Sequence, residues 1–249
     1  MSPPRTRLDT LLVTRGLVES RERARALILA GKVNVAGRPV AKAGSLVPED
    51  VEIHVTEPEH PWVGRGGVKL AHALDVFKID VTGRLAIDVG ASTGGFTDVL
   101  LQRGATRVIA LDVGHGQLHW KIRTDPRVTV IEGINARALT PDVLSNLGDG
   151  AGIVTIDVSF ISLRHILPVV PALLAPDADI VALVKPQFEA GRADVGRGGL
   201  VVDPAIHARV VEEVTAAAGA VGLSRVSLVE SPITGAEGNR EFLMHLRCA

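Results

Sequence analysis

Leu8, Leu11 and Leu12 repeat at helical spacing, and Gly16 ends the run. Ser20 is placed to cap a second helix whose apolar face is Ala24, Leu27 and Ile28 and whose stop is Gly31. The period then changes to two. Val33 and Val35 alternate with polar residues, Gly37 supplies a turn, Val40 follows, and Val51, Ile53 and Val55 predict one more short strand. Two short helices and a few short strands make a small α+β module with a very small core. Glu57 to Gly67 has two prolines, three glycines and no apolar periodicity, which predicts a linker.

Beyond the linker, apolar runs alternate with helical patterns. The strand-like runs are Leu85–Val89, Arg107–Asp112, Val128–Ile131, Ile153–Asp157 and Ile180–Val184. Helices are predicted around Thr97–Gln102, Gln117–Ile122, Pro141–Leu147 and Ile161–Leu174. After Gly199 come a long helix, Asp203–Ala218, and two further strands, Arg225–Val229 and Glu241–Leu246. Alternation of this kind predicts a doubly wound α/β domain with a parallel sheet, completed here by a terminal hairpin. The expected division is a small module over 1–58, a linker over 59–67 and the α/β domain over 68–249. Trp62 reads either as an aromatic plug between the domains or as a ligand contact.

Composition narrows the function classes. With 46% apolar residues and one cysteine, Cys248, the chain has material for a core but for neither a disulfide framework nor a cysteine zinc site. No metal is expected. The start of the chain has no apolar segment of a secretory signal, and Ile166–Ala175 is interrupted by Pro168 and Pro171. A cytoplasmic protein without a membrane partner is the expectation, as a monomer or weak dimer. The net charge of −1 gives no global attraction for nucleic acid. Locally the balance differs: Met1 to Lys42 holds nine basic residues against three acidic ones and no aromatic residue. Arg5, Arg7, Arg21, Arg25 and Lys32 are the candidate RNA contacts, suited to the backbone of folded RNA more than to stacked single strands.

The chemistry concentrates at strand ends. Asp88-Val89-Gly90-Ala91-Ser92-Thr93-Gly94-Gly95-Phe96 follows a buried strand and opens a helix, the setting in which backbone passes close to a ligand. Its G-x-x-x-G-G spacing suits a single-nucleoside cofactor better than a dinucleotide. Asp112 ends the next strand, where a carboxylate can accept from ribose hydroxyls. Asn135 follows the third strand and reads equally as a turn former or as a contact to the cofactor's adenine. Asp157 and Lys185 close apolar runs, Glu241 opens the last strand, and Lys69 follows Gly66-Gly67. Charges at one edge of a parallel sheet face the ligand crevice. A lysine among carboxylates can orient a ribose hydroxyl, hold its developing negative charge or take its proton. A terminal hairpin on such an α/β sheet resembles the layout of class I methyltransferases, among which other methyl acceptors leave different marks. Attack from pyrimidine C5 needs a well-placed cysteine, and exocyclic-amine transfer favours Asp/Asn-Pro-Pro-aromatic, where this chain has Asp157-Val158-Ser159-Phe160.

Two resemblances cover nearly the whole chain. RLDTLLVTRGLVESRERARALILAGKVNVAGRPV resembles the RNA-binding module first seen in the fourth small-subunit ribosomal protein. GRGGVKL, DVGASTGGF, DVSFISL, VKPQFEAGR and GNREF, together with that module, resemble the TlyA family of rRNA 2′-O-methyltransferases, also labelled hemolysins. The resemblance implies a class I (Rossmann-like) methyltransferase fold of the FtsJ type and S-adenosylmethionine as cofactor, bound by the Asp88–Phe96 loop, Asp112, Asn135 and Asp157. It further implies a catalytic Lys69-Asp157-Lys185-Glu241 tetrad and cytidine targets in rRNA within ribosomal subunits. Two rival classes are a membrane-active hemolysin-like protein and a non-catalytic rRNA-binding protein on a relic fold. The first has no spanning or strongly amphipathic segment to support it, and the second is opposed by the four intact charges.

Overall fold

The computed structural model describes residues 4–18, 20–40, 42–56, 60–141, 150–235 and 237–249. Backbone contacts divide the chain into two compact units, Met1–Pro61 and Trp62–Ala249.

In the first unit, β1 (Arg5–Arg7) runs into α1 (Leu8–Thr14), followed by α2 (Arg21–Leu29), β2 (Val33–Val35), β3 (Arg38–Pro39), β4 (Leu46–Pro48) and β5 (Ile53–Val55). Leu8, Leu11, Leu12, Ala24, Leu27, Ile28, Val33 and Val47 bury one small core. The hairpin turn between β2 and β3 needs positive φ at two successive residues, found at Ala36 (49°) and Gly37 (74°). β2 is central in a three-stranded sheet, with β3 on one side and β5 on the other. The β1–β4 pair, Arg5 opposite Pro48 and Arg7 opposite Leu46, had no period to announce it, because each strand is three residues long.

The second unit opens with α3 (Gly66–Phe77), β6 (Leu85–Val89), α4 (Gly95–Gln102), β7 (Arg107–Asp112), α5 (Trp120–Arg123), β8 (Val128–Glu132) and β9 (Ala151–Ile156). It continues through β10 (Leu174–Val184), α6 (Pro186–Glu189), α7 (Pro204–Gly219), β11 (Leu223–Glu230) and β12 (Phe242–Cys248). These strands form one seven-stranded sheet in the order β11-β12-β10-β9-β6-β7-β8. Neighbours from β8 to β10 are parallel; β12 lies between β10 and β11 and is antiparallel to both. Alternation assigns the two faces. Ile87, Val89, Ile109, Leu111, Val154 and Ile156 lie in a cluster with Val210 and Val214 of α7. Ala86, Val108, Ala110 and Ile153 lie in the other, with Leu70 and Leu74 of α3 and Val99 and Leu100 of α4. Each aliphatic side chain fully buried this way contributes roughly 1.5–3 kcal/mol, so the sheet is fixed from both sides.

Several expectations need correction. The helix predicted over Ile161–Leu174 is three separate 3-10 turns, Leu163–His165, Leu167–Val169 and Pro171–Leu173. Pro168 and Pro171 cannot donate the backbone bonds of a continuous helix there. Leu174, expected to end that helix, instead starts the eleven-residue β10. The helix predicted from Gln117 is reduced to four residues starting at Trp120. Gly66 and Gly67 are the first two residues of α3, not linker. A Cβ on Gly67 would stand 2.4 Å from the Trp62 side chain, one on Gly66 3.3 Å from the Phe96 ring, and one on Gly95 of α4 2.9 Å from Gly67 N. Close approach of α3 to α4, with Trp62 over the start of α3, demands them. The expected helix around Pro141–Leu147 lies outside the described residues. Among the described residues no helix is long and apolar enough to cross a membrane.

Candidate active site

A cleft of 500 Å³ opens beyond the C-terminal ends of β6, β7 and β9, where the strand order reverses about β6. Its apolar wall includes Leu111, Ile134 and Val158, and Asp112 and Asp157 also line it. Gly90 lines it with φ 87°, and a Cβ there would stand 2.3 Å from the Asp157 carbonyl oxygen. Only glycine lets the β6 turn and the β9 end come this close.

At the β7 end the backbone holds Asp112. Ser92 N–H donates to its Oδ2 and Gly114 N–H to its Oδ1, each at 2.7 Å. Ser92 has φ 47° and lines the cleft beside Gln117. Asn135 caps a 3-10 turn, accepting from Arg137 N–H at 3.1 Å, and also lines the cleft, so it is both turn former and wall.

The rest of the glycine loop does other work. Asp88 is fully buried; Thr97 donates to its Oδ2 at 2.6 Å and Thr155 to its Oδ1 at 2.9 Å. Burial pushes its carboxyl up to about 6, against the pull of those two hydroxyls. With both oxygens taken, Asp88 braces the loop and does not face the cleft. Phe96 and Ala91 are buried in the α4 core. Gly94 packs on Leu118 and Ile122, and Thr93 lies against Gly64. Of the loop residues expected to touch cofactor, Gly90 and Ser92 are the ones that reach the cleft wall.

The four charges expected to do chemistry form two pairs. Parallel pairing of β9 with β10 and antiparallel pairing of β10 with β12 (Val184 opposite Phe242) bring Asp157, Lys185 and Glu241 to one edge. Lys185 Nζ lies 2.6 Å from Asp157 Oδ1, an ion pair off the axis of a hydrogen bond, and donates to Ser159 Oγ at 2.9 Å. Lys69, one turn into α3, pairs with Glu241, and both are buried. Gly66 opens the same helix 3.8 Å (from the position of a Cβ) from Asp157 Oδ2, so α3 carries Lys69 toward the first pair.

Three further residues lie in the segments that carry the resemblance but were given no role from the sequence. Phe160 is 90% exposed at the cleft, with φ 63°, an arrangement a bulky residue adopts only when its surroundings impose it. Its ring tilts against Phe188 at 5.1 Å, and Lys185 Nζ stands 5.9 Å from the Phe188 ring. Glu189, buried on α6, accepts from Ser162 Oγ at 2.5 Å and from Leu163 N–H at 2.6 Å, tying the segment after β9 to the segment after β10. Burial raises its carboxyl while those donors lower it. Asn239, also buried, accepts from Val201 N–H and donates to the Gly199 carbonyl, each at 2.9 Å, fixing the loop that leads into Glu241. All three are tertiary facts that no local spacing encodes.

In the first unit, Arg5 is exposed on β1 and donates to the Leu46 carbonyl. Lys32 is half-buried between α2 and β2. Arg7, Arg21 and Arg25 all converge on Asp9.

Residues 62–248 match the FtsJ-like methyltransferase family and residues 6–53 match the S4 domain. The 16S/23S rRNA (cytidine-2′-O)-methyltransferase TlyA of Mycobacterium tuberculosis is 49% identical over 98% of this chain and 90% of its own length. Hemolysin A of Brachyspira hyodysenteriae is 39% identical over 96% and 98%. A solved structure from Streptococcus thermophilus, described as a hemolysin, superposes with a TM-score of 0.75 at 45% identity, covering 99% of this chain and 89% of that one. With an S4 domain ahead of a methyltransferase sheet and this likeness along its whole length, the chain belongs to the FtsJ-like methyltransferase family, in its TlyA branch.

Proposed function

We propose that this protein transfers a methyl group from S-adenosylmethionine to the ribose 2′-hydroxyl of cytidines in rRNA, acting on ribosomal subunits. The observation that carries the reading is the Lys185–Asp157 pair at the end of the cleft, backed by Lys69–Glu241. The residues present fit the cofactor. Asp112 offers a held carboxylate to vicinal hydroxyls, Gly90 and Ser92 offer close backbone, and an apolar wall suits an adenine. A positively charged sulfonium suits a cleft with carboxylates at Asp112 and Asp157.

S-adenosylmethionine, when bound, supplies a methyl group activated for displacement. The chain's own residues do the rest. A ribose hydroxyl is a poor nucleophile at neutral pH, and its oxygen gains negative charge as its proton passes to solvent. The Lys185 ammonium stabilises that charge, and Asp157 and Ser159 hold the ammonium in place. Lys69 and Glu241 form the second wall, fixed by α3 and by the Asn239 loop. The exposed ring of Phe160 offers a stacking surface for the base of the target nucleotide once it leaves its neighbours. Much of the acceleration comes from alignment of oxygen, methyl and leaving sulfur.

The test is incubation of purified protein with S-adenosylmethionine and undermethylated ribosomal subunits, followed by nuclease digestion and mass spectrometry. The expected product is 2′-O-methylcytidine. A methyl group on a base, or none on RNA, would overturn the reading.

A further inference from the structure

Asp9 is the second residue of α1 and has no exposure to solvent. Its Oδ1 accepts from Arg7 Nε at 3.0 Å, and its Oδ2 accepts from Arg7 Nη2 at 2.9 Å, Arg21 Nη2 at 3.2 Å and Arg25 Nε at 3.3 Å. The three arginines come from the end of β1 and from two successive turns of α2. About half of each side chain remains open to solvent: 46% for Arg7, 51% for Arg21 and 54% for Arg25. The Arg7 fork, seconded by Arg21 and Arg25, holds the Asp9 carboxyl well below the usual carboxylate range.

A carboxylate in the middle of a basic face reduces the total attraction for RNA. Its geometry does the reverse. Three guanidiniums with no common anchor repel one another and sample many rotamers, and ordering them on binding costs affinity. Anchored on Asp9 they form a cluster with an excess of two positive charges, and their forks are held at one place on the surface. A backbone phosphate presents two oxygens and is bound best by convergent, fixed N–H donors.

We propose that Asp9 is a positioning residue for RNA, gathering Arg7, Arg21 and Arg25 into a preassembled receptor for a backbone phosphate of folded rRNA. This rests on the reading that the S4 unit docks on rRNA. It has a consequence opposite to simple charge counting: removing this acidic residue weakens RNA binding.

The experiment measures binding of the full chain to purified ribosomal subunits at fixed salt, for wild type, Asp9→Asn, Arg21→Ala/Arg25→Ala and the triple combination. Asp9→Asn is expected to bind about tenfold more weakly, the size of one charge-assisted hydrogen bond, although it raises the net charge by one. The arginine pair variant should also weaken, and adding Asp9→Asn to it should cost less than Asp9→Asn costs in the wild type, because only Arg7 is then left for Asp9 to hold. Asp9→Asn binding as tightly as wild type, or more tightly, while the arginine variant weakens, would overturn the role of Asp9 alone. A loss in the triple variant as large as Asp9→Asn causes in the wild type would also overturn it. Wild-type binding by the arginine variant would remove both the proposal and the RNA-docking reading of this face. Amide hydrogen exchange in α1 reports whether Asp9→Asn keeps the unit folded. If it does not, Arg7→Lys is the substitute, since it keeps the charge but lacks the two-pronged grip. Severalfold weaker binding is then expected, and unchanged binding would overturn the proposal.

Discussion

The sheet edge that carries the cleft is held in two different ways along its length. At the β6–β7 end, carboxylates are met by neutral donors: Asp112 by two backbone N–H groups, Asp88 by two threonine hydroxyls. At the β9–β10–β12 end, carboxylates are met by lysines, Asp157 by Lys185 and Glu241 by Lys69. Under the proposed function, the difference follows from what each end has to do. Holding a cofactor's hydroxyls takes an acceptor of fixed direction, which amides and hydroxyls provide. Assisting a reaction in which an oxygen becomes negative takes a cation, and a cation beside a crevice needs carboxylates to keep it aligned.

If the edge is divided this way, variants at the two ends should separate cleanly in single-turnover experiments. The largest effect is expected from Lys185→Ala, with a methyl-transfer rate at saturation at least ~10²-fold lower and cofactor affinity within about threefold of wild type. Lys185→Arg should not restore it, because a guanidinium is larger and planar and cannot take the ammonium's place between Asp157 Oδ1 and Ser159 Oγ. A near-normal rate in Lys185→Ala would erase the distinction between the ends. Next comes Asp112→Ala, which should weaken S-adenosylmethionine by ~1.5–3 kcal/mol in calorimetry, with the rate at saturating cofactor changed far less. Unchanged affinity would take Asp112 out of the site. Glu189→Ala should lower the saturated rate by about tenfold by freeing the Asp157–Ser162 segment, with cofactor affinity nearly intact. Glu189→Gln can still accept from Leu163 and donate to Ser162, and should recover most of the rate.

The smallest effect on methyl transfer is expected from Asp88→Asn, whose signature is in stability. The folded carboxyl sits near 6 and the ordinary value is 3.8. Between these values the folded state binds more protons than the unfolded one, so stability falls as pH rises from about 4 to 6. The cost is on the order of 2–3 kcal/mol once both states are ionised. Asparagine can serve both threonines without that cost. The gap in melting temperature between Asp88→Asn and wild type should therefore widen from pH 4 to 6 and level off above. Parallel melting curves across this range would show that burial does not raise the Asp88 carboxyl as described.

Strand ends were the most legible part of the chain. Five consecutive apolar residues before Lys185, and the run Gly152–Ile156 before Asp157, place both at the sheet edge that carries the cleft, because a strand buried on both faces leaves its first charge at its end. Asp88 shows where that reasoning stops. It shares the glycine-loop motif, but Ile87 and Val89 face one core and the side chain between them points the other way, toward Thr97 and Thr155. Which lysine meets which carboxylate was not readable, because Lys69 and Glu241 are 172 positions apart. Nor was Glu189, whose partners lie on a different strand's exit. The helix expected at Ile161–Leu174 failed for a local reason that was visible, two prolines three residues apart.

The position of β12 also bears on how the enzyme comes into being. β12 follows β10 and β11 in the chain yet lies between them in the sheet. As the chain leaves the ribosome, β10 and β11 emerge first, each with an edge to which no strand has yet been added, and β12 must insert between them to join them. Glu241, the residue immediately before β12, is the last of the four charged residues to be synthesised. Until it arrives, Lys69 lacks its carboxylate partner, so, if the four charges act as proposed, the reacting site is completed only when the last strand of the sheet is made.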